Sequence, residues 1–153
     1  MQFLTKNPQL TRRVFLGTAL AVTVSSVAWS EINKFPFKGD AIDPKAAHDL
    51  AVKGKLTLID IRRPDEWART GSGEGAHRLD MRRKDFITAL DGIMGGDRSK
   101  PVALICATGV RSNRTSQRLK NAGFTHVIDV PEGMMGSKAG PGWLKRNLPV
   151  VQK

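Results

Sequence analysis

Cys106 is the only cysteine among the 153 residues, and its neighbours suit a nucleophile. It directly follows the apolar run 102–105, and a short loop containing Gly109 leads from it into a polar segment. A helix starting there would direct unpaired backbone N–H groups and the positive end of its dipole at the sulfur. Those conditions favour the ionised thiolate, the nucleophilic form of cysteine. The same pattern also fits an inert core residue, because free cysteine is among the most buried residue types.

The surrounding chain alternates predicted strands and helices. The predicted strands are 56–61, 78–81, 102–105 and 126–130. The predicted helices are one that starts at Asp43-Pro44 and ends at Gly54, a short one from residue 64, one through residues 86–90, and one over 110–121. Strands separated by helices imply a parallel sheet covered on both faces. Cys106 would then lie at the carboxyl end of a central strand, where open α/β sheets bind ligands.

Several segments together resemble one known family. The loop 106–112, Cys-Ala-Thr-Gly-Val-Arg-Ser, resembles the active loop of a rhodanese domain, a sulfurtransferase whose cysteine carries a persulfide. Residues 58–67 are similar to the family's second strand with its Asp-x-Arg-x-x-x-Glu-aromatic signature. Other similar segments are Gly75-Ala76, 119–130 and 133–150. The resemblance covers about residues 42–150.

The resemblance implies a rhodanese-like three-layer α/β/α domain with a central parallel sheet of about five strands. It also implies that the Cys106 thiolate takes sulfane sulfur from a small anionic donor as a persulfide and passes it to a thiophilic acceptor or acceptor protein. The backbone N–H groups of residues 108–112 would hold the anion, and Arg111 would attract the donor unless it is only a surface arginine. The predicted substrate-binding residues beside the catalytic Cys106 are Ala107, Thr108, Gly109, Val110, Arg111 and Ser112.

Two features of the loop bear on its chemistry. Four residues separate Cys106 from Arg111, whereas related phosphatases and arsenate reductases have five, which make room for a tetrahedral oxyanion. The tighter ring of backbone N–H groups favours sulfur transfer over phosphate hydrolysis. Ala107 and Thr108 are not basic, unlike the residues in many members that use thiosulfate, so the donor stays open. The hydroxyls of Thr108 and Ser112 could orient the donor or cap the helix.

The N-terminus resembles a twin-arginine export signal. Arg12 and Arg13 precede Val-Phe-Leu-Gly, and no charged residue occurs in residues 14–30. This stretch is short and only moderately apolar for a membrane span, which suits a signal cleaved after Ala28 or Ser30. An uncleaved anchor is the alternative. The resulting organisation is a signal at 1–30, a linker at 31–41 and the domain at 42–150, in a periplasmic protein recognised by the twin-arginine machinery.

Charge and composition limit the partners. The formal net charge is +11, and the three cations of the predicted signal leave +8 for the remainder. This charge could attract anionic donors, an acidic partner or membrane headgroups. Few aromatic residues lie among the basic ones, so no nucleic-acid partner is predicted. The three histidines lack ligand spacing and no nucleotide motif occurs, so no metal or cofactor is predicted. The mature domain is not expected to be membrane-embedded.

Some residues have open assignments. Asp60, Arg62 and Glu66 are expected to tie the second strand to neighbouring loops rather than act on substrate. Trp67 could belong to the core or to a pocket wall. The pair 134–135, both methionine, could line the pocket as a lid or only pack beneath it. The rival function is a non-catalytic binding or sulfur-relay module that docks an exported partner protein.

Overall fold

The structure, a computed structural model, describes residues 41–152. Its helices are α1 (Pro44–Val52), α2 (Pro64–Thr70), α3 (Phe86–Met94), α4 (Val110–Asn121) and α5 (Gly142–Lys145). Its strands are β1 (Thr57–Asp60), β2 (Ser72–Gly73), β3 (Ala76–Arg78), β4 (Val102–Ile105), β5 (Val127–Asp129) and β6 (Val150–Val151). The predicted export signal and residues 31–40 of the predicted linker lie outside the described residues. Within residues 41–152, no helix is long and apolar enough to cross a membrane.

A parallel sheet organises the domain, as predicted. Its strand order is β3-β1-β4-β5, and every neighbouring pair runs parallel. The sheet has four strands rather than about five. Ala41 adds only an isolated parallel bridge to Asp129, because the chain turns into α1 immediately afterwards. Asp43 caps that helix by accepting a hydrogen bond from the Ala46 amide at 3.0 Å.

One predicted strand was misplaced. The expected strand 78–81 is instead β3, Ala76–Arg78, which pairs with β1 in the register Leu58 to Ala76. The apolar Leu79 and Met81 suggested the later position, but pairing with β1 decides the actual one. The two-residue strands β2 and β6, which form a separate antiparallel pair, were not predicted, since segments that short have no periodicity.

The core forms around the middle strands and fixes the end of β4. Every residue of β4 is buried, and Cys106 directly after it belongs to the same core cluster. Phe86 and Leu90 of α3 and Leu119 of α4 pack in that cluster. Burying a large apolar side chain stabilises a fold by roughly 1.5–3 kcal/mol, so this packing holds the β4 terminus in place.

Candidate active site

Ser112 contacts the Cys106 sulfur through both its backbone and its side chain. The Ser112 backbone N–H donates to Sγ at 3.4 Å, and the Cys106 Sγ and Ser112 Oγ atoms are 3.5 Å apart. The Ser112 hydroxyl donates to the Gly109 carbonyl at 3.0 Å, closing the loop upon itself. Both residues are fully buried. The sulfur thus lies at the start of α4, with a backbone amide directed at it.

The loop after Cys106 packs backbone to backbone against the segment after β5. Gly109 has φ +84°, and a Cβ there would lie 2.1 Å from the Pro131 carbonyl oxygen. Gly133 has φ +66°, and its Cβ would lie 2.5 Å from the Ala107 oxygen. Only glycine satisfies both demands, a left-handed torsion and a contact this close.

The same two segments are joined by hydrogen bonds. The Met134 amide donates to the Cys106 carbonyl and the Met135 amide to the Ala107 carbonyl, each at 2.8 Å. Met134 is fully buried, whereas the Met135 side chain is exposed at the loop. Met134 is therefore a buried packing residue next to the site, and Met135 is exposed beside the loop.

Four consecutive amides of the loop are available to an anion. No backbone hydrogen bond among residues 41–152 uses the N–H groups of Thr108, Gly109, Val110 or Arg111. They precede or open the first turn of α4, where helical N–H groups have no intrahelical acceptor. The Thr108 and Val110 side chains are exposed and Ala107 is half-buried, so these residues offer backbone groups rather than side-chain charge. The arrangement suits a bound anion.

Arg111 is held by a carboxylate from another helix. Its Nη1 donates to Glu66 Oε2 at 2.8 Å and its Nη2 to Glu66 Oε1 at 2.6 Å. Hydrogen bonding from Arg111 lowers the pKa of Glu66 from 4.5 to about 2, against the opposing effect of burial. The pKa of Arg111 is raised, first by Glu66 and in smaller part by its charge and hydrogen-bond interactions with Cys106. The guanidinium is therefore both oriented by Glu66 and close to the sulfur.

Glu66 is next to the site because the loop that it binds is the one after Cys106, which the sequence did not reveal. It was expected to tie loops together with Asp60 and Arg62. The expectation is confirmed for those two: both are buried, they pair at 2.7 Å, and Arg62 also binds Thr70 and the Gly71 carbonyl. Glu66 also makes such a tie, to the cysteine loop (residues 106–112) through Arg111. No local signal separates it from an ordinary acidic residue on the first turn of a helix, a position that the helix dipole favours.

Asp129 was missed altogether. It ends β5, is 6% exposed, and pairs in register with Leu104, which puts its side chain on the face of the sheet that Leu104 occupies. Burial raises the pKa of Asp129, and hydrogen bonding from Ser112 and Asn113 opposes this effect only in part. Its Oδ1 atom has no hydrogen-bond partner among the described residues. The one available signal was an acid between the apolar residues Ile128 and Val130 of a predicted strand.

Trp67 lies beside the core rather than in it. The side chain is half-buried, and the Arg78 guanidinium stacks over its ring at 5.9 Å from the centroid. Its Nε1 is buried without a hydrogen-bond partner among residues 41–152. No hydrogen bond among residues 41–152 joins it to the loop after Cys106, so the structure favours a packing position.

Taken together, these contacts define a buried sulfur surrounded by positive electrostatic groups. The backbone amides of the loop and the Arg111 guanidinium both stabilise negative charge on or next to the sulfur. Helix α4 also carries Arg114, Arg118 and Lys120 and has no acidic residue, so its surface is basic. The groups that face the sulfur are therefore of the kind that favours a bound anion.

Comparison with known proteins agrees with this geometry. The family model of the rhodanese-like domain matches residues 43–139, more than half of the chain. Thiosulfate sulfurtransferase GlpE of Actinobacillus pleuropneumoniae is 30% identical over 109 residues, covering 71% of this chain and 90% of that protein. The probable adenylyltransferase/sulfurtransferase MoeZ of Mycobacterium tuberculosis is 31% identical over 113 residues, 73% of this chain but only 26% of its own length.

A solved structure shares the architecture. The polysulfide-sulfur transferase homodimer of Wolinella succinogenes superposes with a TM-score of 0.58 at 25% identity, covering 86% of this chain and 88% of that one. The sheet, the cysteine loop and these relatives together place the chain in the family of rhodanese-like domains.

Proposed function

We propose that this protein is an exported sulfurtransferase in which Cys106 carries sulfane sulfur as a persulfide. The observation that carries the proposal is the Ser112 amide at 3.4 Å from Sγ, at the end of a row of four amides without backbone acceptors. Such donors stabilise the thiolate that attacks and the persulfide anion that results. The sulfurtransferase relatives support the same chemistry.

The proposed reaction has two half-reactions that balance in charge. In the first, the Cys106 thiolate attacks the outer sulfur of a dianionic donor; a new S–S bond forms, the donor's S–S bond breaks, and the shortened donor leaves with its electron pair. In the second, an acceptor thiolate attacks the outer persulfide sulfur and Cys106 leaves as thiolate. No external oxidant or reductant is needed, because each step exchanges one sulfur–sulfur bond for another.

The donor that we propose is an inorganic polysulfide. The basic surface of α4 favours an anion over a neutral molecule. Ala107 and Thr108 are not basic, so they provide no side-chain charge that could bind a sulfonate-like group. A polysulfide contains no sulfonate-like group and does not need such a charge. The structural likeness to a polysulfide-sulfur transferase supports this choice. Because Cys106 is fully buried, the donor reaches the sulfur only when neighbouring groups move aside.

Mass spectrometry of the purified full chain tests the proposal. We expect polysulfide to add the mass of one sulfur atom to the wild-type protein, with less addition from thiosulfate and from mercaptopyruvate. Cys106→Ser should accept none, while Ser99→Ala, a change at an exposed turn serine, should behave as wild type. Wild-type protein that stays unmodified with all three donors would contradict the proposal and leave the binding-module alternative.

A further inference from the structure

We propose that Val110, Met135 and Lys138, which are exposed around the cysteine loop, form a docking face for an acidic protein that accepts the sulfur through a cysteine thiol. This inference rests on the proposed function, because it names the acceptor of the second half-reaction. It is carried by the distribution of charge along the chain, by the contacts that place the three side chains, and by the burial of the sulfur.

The positive charge of the described chain is concentrated in its second half. Residues 41–97 contain ten basic and ten acidic residues, whereas residues 98–152 contain nine basic residues and two acids, Asp129 and Glu132. Both acids are buried, with exposed fractions of 6% and 4%, and Glu132 is bound by Arg146. This half includes the cysteine loop, α4 and the segment 131–138. It therefore presents cations and almost no carboxylate to solvent, which attracts an acidic partner.

Lys138 brings one of these cations next to the loop. The preceding Ser137 donates its hydroxyl to the Pro131 carbonyl at 2.8 Å, and the same carbonyl packs against Gly109. Lys138 is exposed, and no carboxylate or hydrogen-bond acceptor among residues 41–152 engages its ammonium group. The charge is thus available to a carboxylate of a partner.

Two apolar side chains are exposed on the same two segments. Val110 directly follows Gly109 and is 66% exposed. Met135 is 49% exposed, and its amide donates to the Ala107 carbonyl at 2.8 Å. Methionine is enriched in protein interfaces, and apolar groups bordered by polar ones mark interaction sites. A small inorganic acceptor would not use these side chains, whereas a protein surface would cover them.

The chemistry of the second half-reaction decides among the possible occupants. The acceptor thiolate forms a bond to the outer sulfur of the persulfide, the S–S bond to Cys106 breaks, and Cys106 keeps the electron pair as thiolate. The occupant must therefore bring a thiol to the loop, which a lipid headgroup does not have. A second copy of this chain would oppose like charges, and its only thiol is the buried Cys106. An acidic protein with an exposed cysteine meets both requirements.

Synthetic peptides serve as acceptors for the test, which uses the full chain. Three peptides of equal length each carry one cysteine next to leucine, and their remaining residues are glutamate, glutamine or lysine. The protein is loaded from inorganic polysulfide and freed of donor, and mass spectrometry follows the loss of sulfur from Cys106 to each peptide below saturation, at low and at high salt. Each rate is divided by the rate with mercaptoethanol, a small neutral thiol. Fluorescence anisotropy measures how a glutamate peptide with serine in place of cysteine binds to unloaded protein.

Matched variants locate the effect on the surface. Lys138→Glu is compared with Lys55→Glu, the same change at an exposed lysine before β1, at the edge of the parallel sheet opposite Cys106. Met135→Gln is compared with Val52→Gln, since Val52 is 50% exposed at the end of α1.

At low salt the glutamate peptide should accept sulfur about tenfold faster than the lysine peptide, and high salt should reduce this ratio. Lys138→Glu should slow transfer to the glutamate peptide about fivefold and weaken binding of the serine peptide, whereas Lys55→Glu should stay within about twofold of wild type. Met135→Gln should slow the same transfer about threefold, and Val52→Gln should not change it.

Other outcomes overturn the inference. Equal rates with the glutamate and lysine peptides at low salt, or equal losses in Lys138→Glu and Lys55→Glu, would contradict a docking face at the loop. Binding to phosphatidylglycerol vesicles that is lost in Lys138→Glu, without any preference among the peptides, would assign the face to a membrane surface. A dimer that dissociates in Lys138→Glu would assign it to a second copy. If wild-type protein takes no sulfur from polysulfide but binds the serine peptide through Lys138, the proposed function fails and the docking of an acidic protein stands.

Discussion

Glu66 and Arg111, 45 residues apart in the chain, form a two-pronged ion pair that joins the first turn of α2 to the first turn of α4. Glu66 also accepts from the Arg63 amide at 3.1 Å, so the carboxylate is fixed on its own helix. An arginine in the cysteine loop is thereby given one orientation, with its charge close to the sulfur. A flexible cation would lose side-chain entropy on binding a sulfur donor. The Arg111 side chain has already lost this entropy on folding.

Arg111→Lys is expected to slow sulfur uptake from polysulfide by roughly tenfold, because an ammonium group cannot bind Glu66 through two parallel hydrogen bonds. The rate of persulfide formation measures it. The matched control is Arg114→Lys on the exposed side of the same helix, which keeps the surface charge and should leave the rate unchanged. Equal rates for both variants and wild type would show that the geometry of the Glu66 pair has no role in the reaction.

Glu66 makes the stability of the domain depend on pH in the acidic range. Its pKa is about 2 in the folded protein and 4.5 ordinarily, so folding favours the ionised form. The resulting stabilisation is complete above about pH 4.5 and is lost as the pH falls toward 2. At pH 7 Glu66→Gln should lower the free energy of unfolding by about 1–3 kcal/mol. Urea unfolding at pH 7 and pH 3 should show the difference from wild type shrinking at the lower pH.

The neighbouring Asp65→Asn is the control for this experiment. The Asp65 carboxylate is exposed and pairs with Arg69 at the surface, so its removal should change stability little at either pH. A Glu66→Gln deficit that stayed constant between pH 7 and pH 3 would contradict the assigned ionisation.

Gly109→Ala is expected to abolish sulfur uptake and to destabilise the domain. The added methyl group meets the Pro131 carbonyl at 2.1 Å, so the segments on either side of the sulfur must separate. Gly54→Ala is the matched control, since Gly54 has φ +65° but nothing within 4 Å of its Cβ position. It adds the torsional strain alone, about 1–2 kcal/mol, and should keep the activity. Thermal unfolding and mass spectrometry measure the two effects, and an active Gly109→Ala would rule out the tight loop.

Changing both Arg12 and Arg13 to lysine is expected to retain the protein in the cytoplasm, because the predicted signal depends on the arginine pair and not on charge alone. Fractionation of expressing cells measures the location, and the intact mass of exported protein shows whether cleavage follows Ala28 or Ser30. Lys6→Gln, which removes a charge from the same segment, should leave export intact. Export of the double-lysine variant at the wild-type level would exclude a twin-arginine signal.

The elements next to the nucleophile were predictable because their signals are local. The strand 102–105 and the helix 110–121 have the bounds expected from an apolar run followed by a polar segment. The start of α1 is likewise specified locally, by Asp43 as the N-cap and Pro44 as the first helical residue. The prediction of a strand at 78–81 was wrong for the converse reason. The edge strand β3 consists of small and polar residues, and its position is decided by pairing with β1.

By itself the sequence determined where the sulfur would be, at the junction of a buried strand and a helix, because hydrophobic patterning and capping act between residues close in the chain. Only the tertiary structure decided what surrounds it. Glu66 binds Arg111, Asp129 is buried at the end of β5, and the Met134 and Met135 amides bind the loop through strand order and register. Such contacts depend on which strands become neighbours, and residues far apart in the chain have no local signal of that pairing.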